Sequence, residues 1–400
     1  MANQFVTNKK TDLVALRAAE AAAYLTVGSK KYFSDQLEGK RNGTTYEFVI
    51  RDAGEFAEGM DMEDHVSNLV ERKVQKSIEL GNVVIDTNLL EKVTDVEWDR
   101  EIAIPNGKKL INGVVKKTVK KDLGLQNAAF VGTGWLPLSK ASRFLGSISS
   151  EKRYAFVDPM IDSVMAAGGK GFTPVEAEPL YKTGMLGDFS GTEFRETQFL
   201  PTLVISKALA DQLSSATVTS YVTGAEYDTL TINVTEKIPA GTPISIEGIY
   251  AADLVGDETS SLAAFIALEE ASNGAIKVKK VDMDGNGTKM ICKADGSALA
   301  TSDFADKKVV SKLEEGQYYL GIFRLDGVEE FETLNKLDWS NADSSSEKIE
   351  GVTVHEGRAV NVLAGSNKTR WTVASLAGIV EVRGSVLVAV KDSTANLVAG

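Results

Sequence analysis

The stretch TTYEFVIRD (44–52) alternates apolar and polar positions. Tyr46, Phe48 and Ile50 fall on one side and Thr45, Glu47 and Arg51 on the other, the period of a half-buried strand. Alternation stops in GEFAEGMDMEDH (54–65), which carries Glu55, Glu58, Asp61, Glu63 and Asp64 with no Lys or Arg, as a solvated acidic tip would. It resumes in ERKVQKSIELGNVVIDT (71–87) through Val74, Ile78, Val83 and Ile85. Strand, polar tip and returning strand predict an extended two-stranded loop. Ahead of it, TDLVALRAAEAAAYL (11–25) is rich in Ala and Leu and helical by propensity, which fits an N-terminal arm.

The period then changes to that of a helix. In PNGKKLINGVVKKTVKKDLG (105–124), Leu110, Ile111, Val114, Val115, Val119 and Leu123 recur at helical spacing. Lys108, Lys109, Lys116, Lys117, Lys120 and Lys121 occupy much of the rest. Pro105 near the first turn and Gly124 just past the last residue mark both boundaries. At 1.5 Å per residue the helix would be about 30 Å long, a structural beam with one buried stripe and a basic remainder. The lysines near its C-terminus also complement the helix dipole. The favoured reading of the basic face is a solvated surface. The functional alternative is a surface for an acidic partner segment or packaged nucleic acid, and the acidic tip at 54–65 lets one copy of the chain pair with another.

From 139 the pattern reads helix (SKASRFLGSI), strand (RYAFV) and helix (DPMIDSVMAAGG), with Asp158 as N-cap, Pro159 as first helical residue and Gly168-Gly169 as the stop. Residues 206–314 change character, becoming rich in Thr, Ser, Val and Ile, with alternating runs TLTINVT (229–235) and PISIEGI (243–249); this predicts a small inserted β domain. LAAFIALEEA (262–271) fits helix and strand equally by pattern. YYLGIFRL and the apolar run 371–390, broken by Glu381 and Arg383, read as returning strands before a polar tail.

Length and composition narrow the class. Four hundred residues exceed what one core usually fills, and 43% hydrophobic with 25% charged residues is ordinary globular usage. No stretch has the length and apolarity of a membrane-spanning helix, and MANQFVTNKK is not followed by a signal-type apolar segment, so function without export and without a membrane is expected. A single cysteine, Cys292, excludes a disulfide within the chain and a cysteine zinc site. Net charge −12 argues against a protein whose main task is gripping nucleic acid phosphates.

No catalytic constellation assembles from the sequence, and no catalytic, cofactor-binding or metal residue is assigned. GTGW (132–135) reads as a plain turn, because no GxxxxGK[ST] run accompanies it. His65 reads as paired with a carboxylate of the acidic tip, His355 as an exposed or hydrogen-bonded strand residue, and Cys292 as a small buried hydrophobe. VDMDGNGTKMICK (281–293) matches the first half of a calcium loop through Asp282, Asp284, Asn286 and Gly287. Lys293, however, stands where the loop needs a bidentate Glu. Its flanks AIKVKK and KMIC alternate like strands, so a hairpin turn is expected there, with Asp282 and Asp284 left as a weak cation site at most.

RYAFVDPMIDSVMAAG (153–168) with LYKTGMLGDFSGTEFRETQFLPTLVIS (180–206) resembles the major capsid proteins of tailed bacteriophages, above all the short-tailed phages whose capsid protein carries an inserted domain. In that family a strand ends in an Asp-Pro pair that starts a helix; a Gly-x-x-Gly turn, a Gly-Phe-like strand and a Leu-Pro exit come after it. Asp158 and Pro159 match the first element, and Gly184, Gly187, Phe189, Phe194, Leu200 and Pro201 the second. The Gly-Phe dipeptide is replaced by Asp188-Phe189 or Gly191-Thr192.

The resemblance implies an α+β chain with the Hong Kong phage capsid fold. It divides into an N-terminal arm (1–38), an extended loop (39–87), a spine-helix domain (88–130), a peripheral domain (131–205), the inserted β domain (206–314), and return strands with a C-terminal tail (315–400). It also implies a non-enzymatic subunit without cofactor. Such a subunit assembles with itself as hexamers and pentamers into an icosahedral shell around phage DNA in the host cytoplasm, with scaffolding, portal and decoration proteins as further partners and non-specific contact with packaged DNA. Encapsulin-like compartment shells share the fold but generally lack the insertion. The rivals from other classes are a calcium-stabilised β-rich surface protein and an enzyme with a β accessory domain.

Overall fold

The computed structural model describes residues 2–30, 45–51, 71–86, 95–161, 164, 188–189, 191–254, 258–281, 289–334, 343–361 and 366–392. Helix α1 (Ala2–Ala21) and the single turn α2 (Ala23–Thr26) lead into β1 (Ser29–Lys30), β2 (Thr45–Arg51), β3 (Glu71–Ser77) and β4 (Glu79–Asp86). A helical stretch comes next: α3 (Asp95–Trp98), a π-helical turn at Asp99–Ala103, and the long α4 (Ile104–Gly124). Then come β5 (Ala128–Thr133), α5 (Leu136–Ile148), β6 (Arg153–Val157), β7 (Asp188–Phe189), β8 (Thr192–Glu196), β9 (Leu203–Ile205) and α6 (Lys207–Ser215).

Strands β10 (Val218–Val222), β11 (Asp228–Ile232), β12 (Pro243–Ala252), β13 (Glu258–Ile266), β14 (Ala275–Val278), β15 (Ile291–Cys292) and β16 (Val309–Val310) fill the stretch expected as the insertion. The chain closes with β17 (Gly316–Leu325), β18 (Glu329–Thr333), β19 (Asp343–Ile349), β20 (Val352–Asn361), β21 (Ser366–Ile379) and β22 (Ser385–Lys391). The architecture is α+β.

Two compact units divide these elements: residues 1–48, 75–119 and 329–378 in one, and 49–74, 120–328 and 379–400 in the other. In the first, a sheet runs β1-β18-β21-β20-β19, with β4 also paired to β21. The fourteen-residue β21 is long enough to hold β20 and β4 antiparallel at once, Thr372 facing His355 on one edge and Asn82 on the other. Helix α1 contributes small side chains to the core; Val14, Ala15 and Ala18 are fully buried. It is tied down by the Thr11 hydroxyl, which donates to Glu356, and by the Arg17 guanidinium, 2.7 Å from Asp99. Trp98 and Trp371 meet edge to face, ring centroids 6.1 Å apart.

In the second unit one sheet runs β15-β12-β13-β5-β22-β17-β6-β8-β7, with β16 on β12 and β9 on β17. β22 is its centre, parallel to β5 and antiparallel to β17. Every residue from Ser385 to Val390 is buried, so this strand reads as a continuous apolar run rather than an alternating one. Leu138, Ala141 and Leu145 of α5 belong to the same core as Val386, Val388 and Val390. Strands β10, β11 and β14 make a separate three-stranded sheet.

The residues that pattern left ambiguous, 262–271, begin as strand β13, whose Ala263 faces Ala128 of β5. Through that pairing β12, β13, β15 and β16 continue the sheet formed by β5, β22, β17 and β6. The single returning strand expected over 71–87 is two strands with a break at Ile78: β3 pairs with β2, while β4 joins β21. The N-terminal helix starts nine residues before the expected Thr11 and breaks at Ala22.

Candidate assembly surfaces

Helix α4 (104–124) ends where the pattern predicts, but its expected start at Pro105 is corrected: helical backbone runs unbroken from Asp95 through the π-helical turn into it. Leu110, Ile111, Val114, Val115 and Val119 are at most 1% exposed, and all six lysines face solvent. Lys117 lies 3.4 Å from Glu79 of β4. Lys108, Lys109, Lys116 and Lys120 have no carboxylate partner among the described residues. β4 reaches the helix through Gly81, where a Cβ would stand 2.4 Å from the Leu110 carbonyl oxygen and 3.2 Å from Val114. At the last turn, buried Asp122 accepts a hydrogen bond from the Ile379 amide at 2.9 Å.

The loop strands β2 and β3 pair as a two-stranded sheet. The acidic tip 54–65, with Glu58, Asp61 and His65, lies outside the described residues.

In the stretch carrying the family motifs, β6 ends at Val157 and Asp158 caps the turn after it. Its carboxylate accepts from the Met160 amide at 2.8 Å and its carbonyl from Ile161. Burial pushes the Asp158 carboxyl above its ordinary range, the Met160 bond opposes that, and Glu196 adds to it. β8 lies parallel to β6, Tyr154 beside Glu193 and Phe156 beside Arg195. Phe194 sits edge-on to Phe323 of β17, centroids 5.5 Å apart, a contact that spans β6 within the same sheet.

Gly191 turns β7 into β8 at φ +72°, a backbone conformation that favours glycine, with the flexible end of the Arg153 side chain beside it. Arg153 in turn donates to the Ser142 carbonyl at 2.7 Å, stitching α5 to β6. Leu200 is buried and Pro201 exposed at the exit. Gly184 and Gly187 lie outside the described residues, as does the end of the helix after Pro159.

The remaining sequence candidates take structural places. His355 is buried on β20 with Nε2 2.7 Å from the Leu334 carbonyl. Burial lowers its pKa, and that bond partly offsets the shift. Cys292 is buried on β15, and Gly134-Trp135 form a turn before α5. Asp282 and Asp284 lie outside the described residues.

Sequence reasoning missed Lys279. Alternation in AIKVKK places Lys277 and Lys279 together on the outer face. β14 ends at Val278, however, and the next residue turns inward, where Lys279 is 3% exposed and donates to the Gln126 carbonyl. Burial lowers its pKa to about 7.

No family model and no curated relative matches the sequence. Among solved structures the chain is similar to one from Mycobacterium phage Che8, at 7% identity and TM-score 0.41 over 90% of this chain and 89% of that one. It is also similar to the capsid of cyanophage P-SCSP1u, at 9% identity and TM-score 0.40 over 91% and 89%. A virus-like particle from Pyrococcus furiosus matches at 9% identity and TM-score 0.41, over 95% and 98%.

Proposed function

We propose that this chain is the major capsid protein of a tailed bacteriophage, a subunit that assembles with copies of itself as hexamers and pentamers into an icosahedral shell enclosing double-stranded DNA. The observation that carries the reading is the Asp158-Pro159 segment. A strand ends in a capping aspartate and starts a helix, and the Phe194 strand returns parallel beside it, in the order the sequence motifs imply. The other parts fall in the same order along the chain: an N-terminal helix, a paired loop and a long basic helix.

Function in such a subunit is geometry. The paired strands β2 and β3 supply an arm that lies over a neighbouring subunit, and the outward lysines of α4 receive acidic segments. A rigid core with reusable contact elements suits a shell whose subunits occupy slightly different settings. A net charge of −12 suits a container that releases its DNA, since many phosphate contacts per subunit would oppose exit. Scaffolding, portal and decoration proteins are the further partners, the virion is the destination and the host cytoplasm the place of assembly.

Electron microscopy of the purified chain, expressed alone and with its scaffolding partner, tests the reading. Uniform closed particles in either preparation are expected. Persistent monomers in both would overturn it.

A further inference from the structure

The second unit holds a cleft of about 540 Å3, bounded by residues of β5 and α5 and by residues of β12, β13 and β16. That volume is typical of sites for small organic ligands. Three cations line it: Lys140 and Arg143, one turn apart on α5, and Lys312 just beyond β16. No Asp or Glu is among its lining residues, and among the described residues none of the three cations has a carboxylate partner. Some lysines elsewhere in the same unit are paired, Lys152 with Glu193 at 2.6 Å, Lys237 with Glu270 at 3.0 Å and Lys391 with Glu314 at 2.7 Å, whereas Lys140, Arg143 and Lys312 are exposed and share one opening. Three unpaired cations gathered around one concavity, in a chain of net charge −12, mark a place where negative charge is accepted.

The other lining groups narrow the anion. Ser245, Ser260 and Ser261 add hydroxyls, while Phe130, Phe144 and Leu262 add apolar surface, the two phenyl rings 5.7 Å apart. A phosphoryl group brings roughly −1.5 to −2 charges and three strong acceptor oxygens. That matches two lysines, an arginine fork and neighbouring hydroxyls better than a carboxylate does, with its single charge and two oxygens. The apolar wall calls for a non-polar or aromatic body attached to the phosphate.

We propose that this cleft binds a phosphate monoester carried on an aromatic body, of which a nucleoside monophosphate is the type. The ligand chemistry is shared by a free nucleotide and by the 5′-phosphorylated end of a strand. The assignment stands on this cleft alone and does not depend on the capsid reading.

Titration calorimetry of the full chain with deoxyadenosine monophosphate, deoxyadenosine and inorganic phosphate tests it. Saturable binding of the nucleotide is expected, together with weaker binding of inorganic phosphate and none of the nucleoside. The double variant Lys140→Ala/Arg143→Ala should lose at least tenfold in affinity with an unchanged unfolding midpoint. Lys312→Ala, on the other side of the cleft, should weaken binding independently and covers the case in which the double variant fails to fold. Lys237→Ala should change nothing. A 5′-phosphorylated oligonucleotide binding more tightly than both the free nucleotide and its 5′-hydroxyl counterpart assigns the site to strand ends. Equal or weaker binding assigns it to the free nucleotide. The proposal is overturned if no phosphate compound binds at millimolar concentration, if binding survives both cleft variants, or if only an acidic peptide of residues 54–65 binds.

Discussion

The backbone of Gly81 in β4 lies so close to helix α4 that a Cβ there would stand 2.4 Å from the Leu110 carbonyl oxygen. The obstacle is helix backbone, which cannot step aside as a flexible side chain would. Gly81→Ala is therefore expected to cost about 1–3 kcal/mol of stability, the range for overpacking a close contact, read as a lower urea midpoint. Gly113, on the exposed side of the same helix, gives the opposite expectation, because a Cβ there meets nothing within 4 Å. Gly113→Ala should stabilise by roughly 0.5–1 kcal/mol through helix propensity. A neutral Gly81→Ala would show that β4 does not pack as described.

Lys279 makes stability depend on pH in alkaline solution. Its folded pKa is depressed to about 7, while the unfolded lysine titrates at about 10.4. Between these values the unfolded chain binds the extra proton, so stability rises as pH rises from about 7 towards 10.4; below 7 both states are charged and the penalty is constant. The gain attributable to this residue is on the order of 4 kcal/mol. Lys279→Met should raise stability at neutral pH and flatten the rise, as measured by urea unfolding at pH 7, 8, 9 and 10. An equal slope in the variant would remove Lys279 as its source.

Asp158 holds the first turn after β6 through the Met160 amide. Asp158→Ala should cost about 1 kcal/mol, the usual loss for an N-cap, whereas Asp158→Asn, which keeps the acceptor, should cost less. Because burial already disfavours the charged form, the Asn variant should also be less sensitive to pH near the carboxylate range. Thermal unfolding of both variants at pH 4 and pH 7 distinguishes a capping role from a purely electrostatic one.

Acid-to-base pairing between copies carries a further expectation. On the proposed assembly, reversing Glu58 and Asp61 together to lysine should lower shell yield while leaving subunit stability within about 0.5 kcal/mol, as expected for a tip whose sequence reads as solvated. Adding Lys116→Glu and Lys120→Glu should restore part of the yield. Sedimentation of assembled particles provides the readout, and an unchanged yield in the first double variant would rule out the pairing.

A feature is legible in sequence when its constraint is local, and hidden when the constraint lies elsewhere in the chain. The C-terminal end of α4 is local: Gly124 closes the last turn and the buried stripe repeats at helical spacing before it, whereas Pro105 marks no start, because helical backbone already runs into it from Asp95. RYAFV becomes β6 residue for residue because its flanks, a bend and an Asp-Pro pair, also act locally. Partners are not local. That β4 would leave β3 and pair with β21 depends on residues near 370, and nothing in ELGNVVID names them. The Gly81 contact was invisible for the same reason, since its need for glycine is set by Leu110. Lys279 was hidden because alternation is informative only while the strand lasts, and β14 ends one residue earlier. The candidate surface was legible in its charges; the cleft around Lys140 and Lys312 was not, because folding alone brings those two residues to one opening.

The parallel ladder between β5 and β22 has a temporal meaning. Val386 lies beside Ala128, and β22 fills the gap between β5 and β17. While the chain is being made, β5 is available long before its central neighbour, and β17 waits beside an empty lane with its ladder groups unsatisfied. Pairings across so much sequence close late and slowly. A chain cut short before Ser385 keeps two raw edges in the middle of its sheet, prone to stick or to be degraded. β22 thus decides when this sheet is finished: until Ser385–Lys391 is in place, β5 and β17 remain two separate halves with open edges between them.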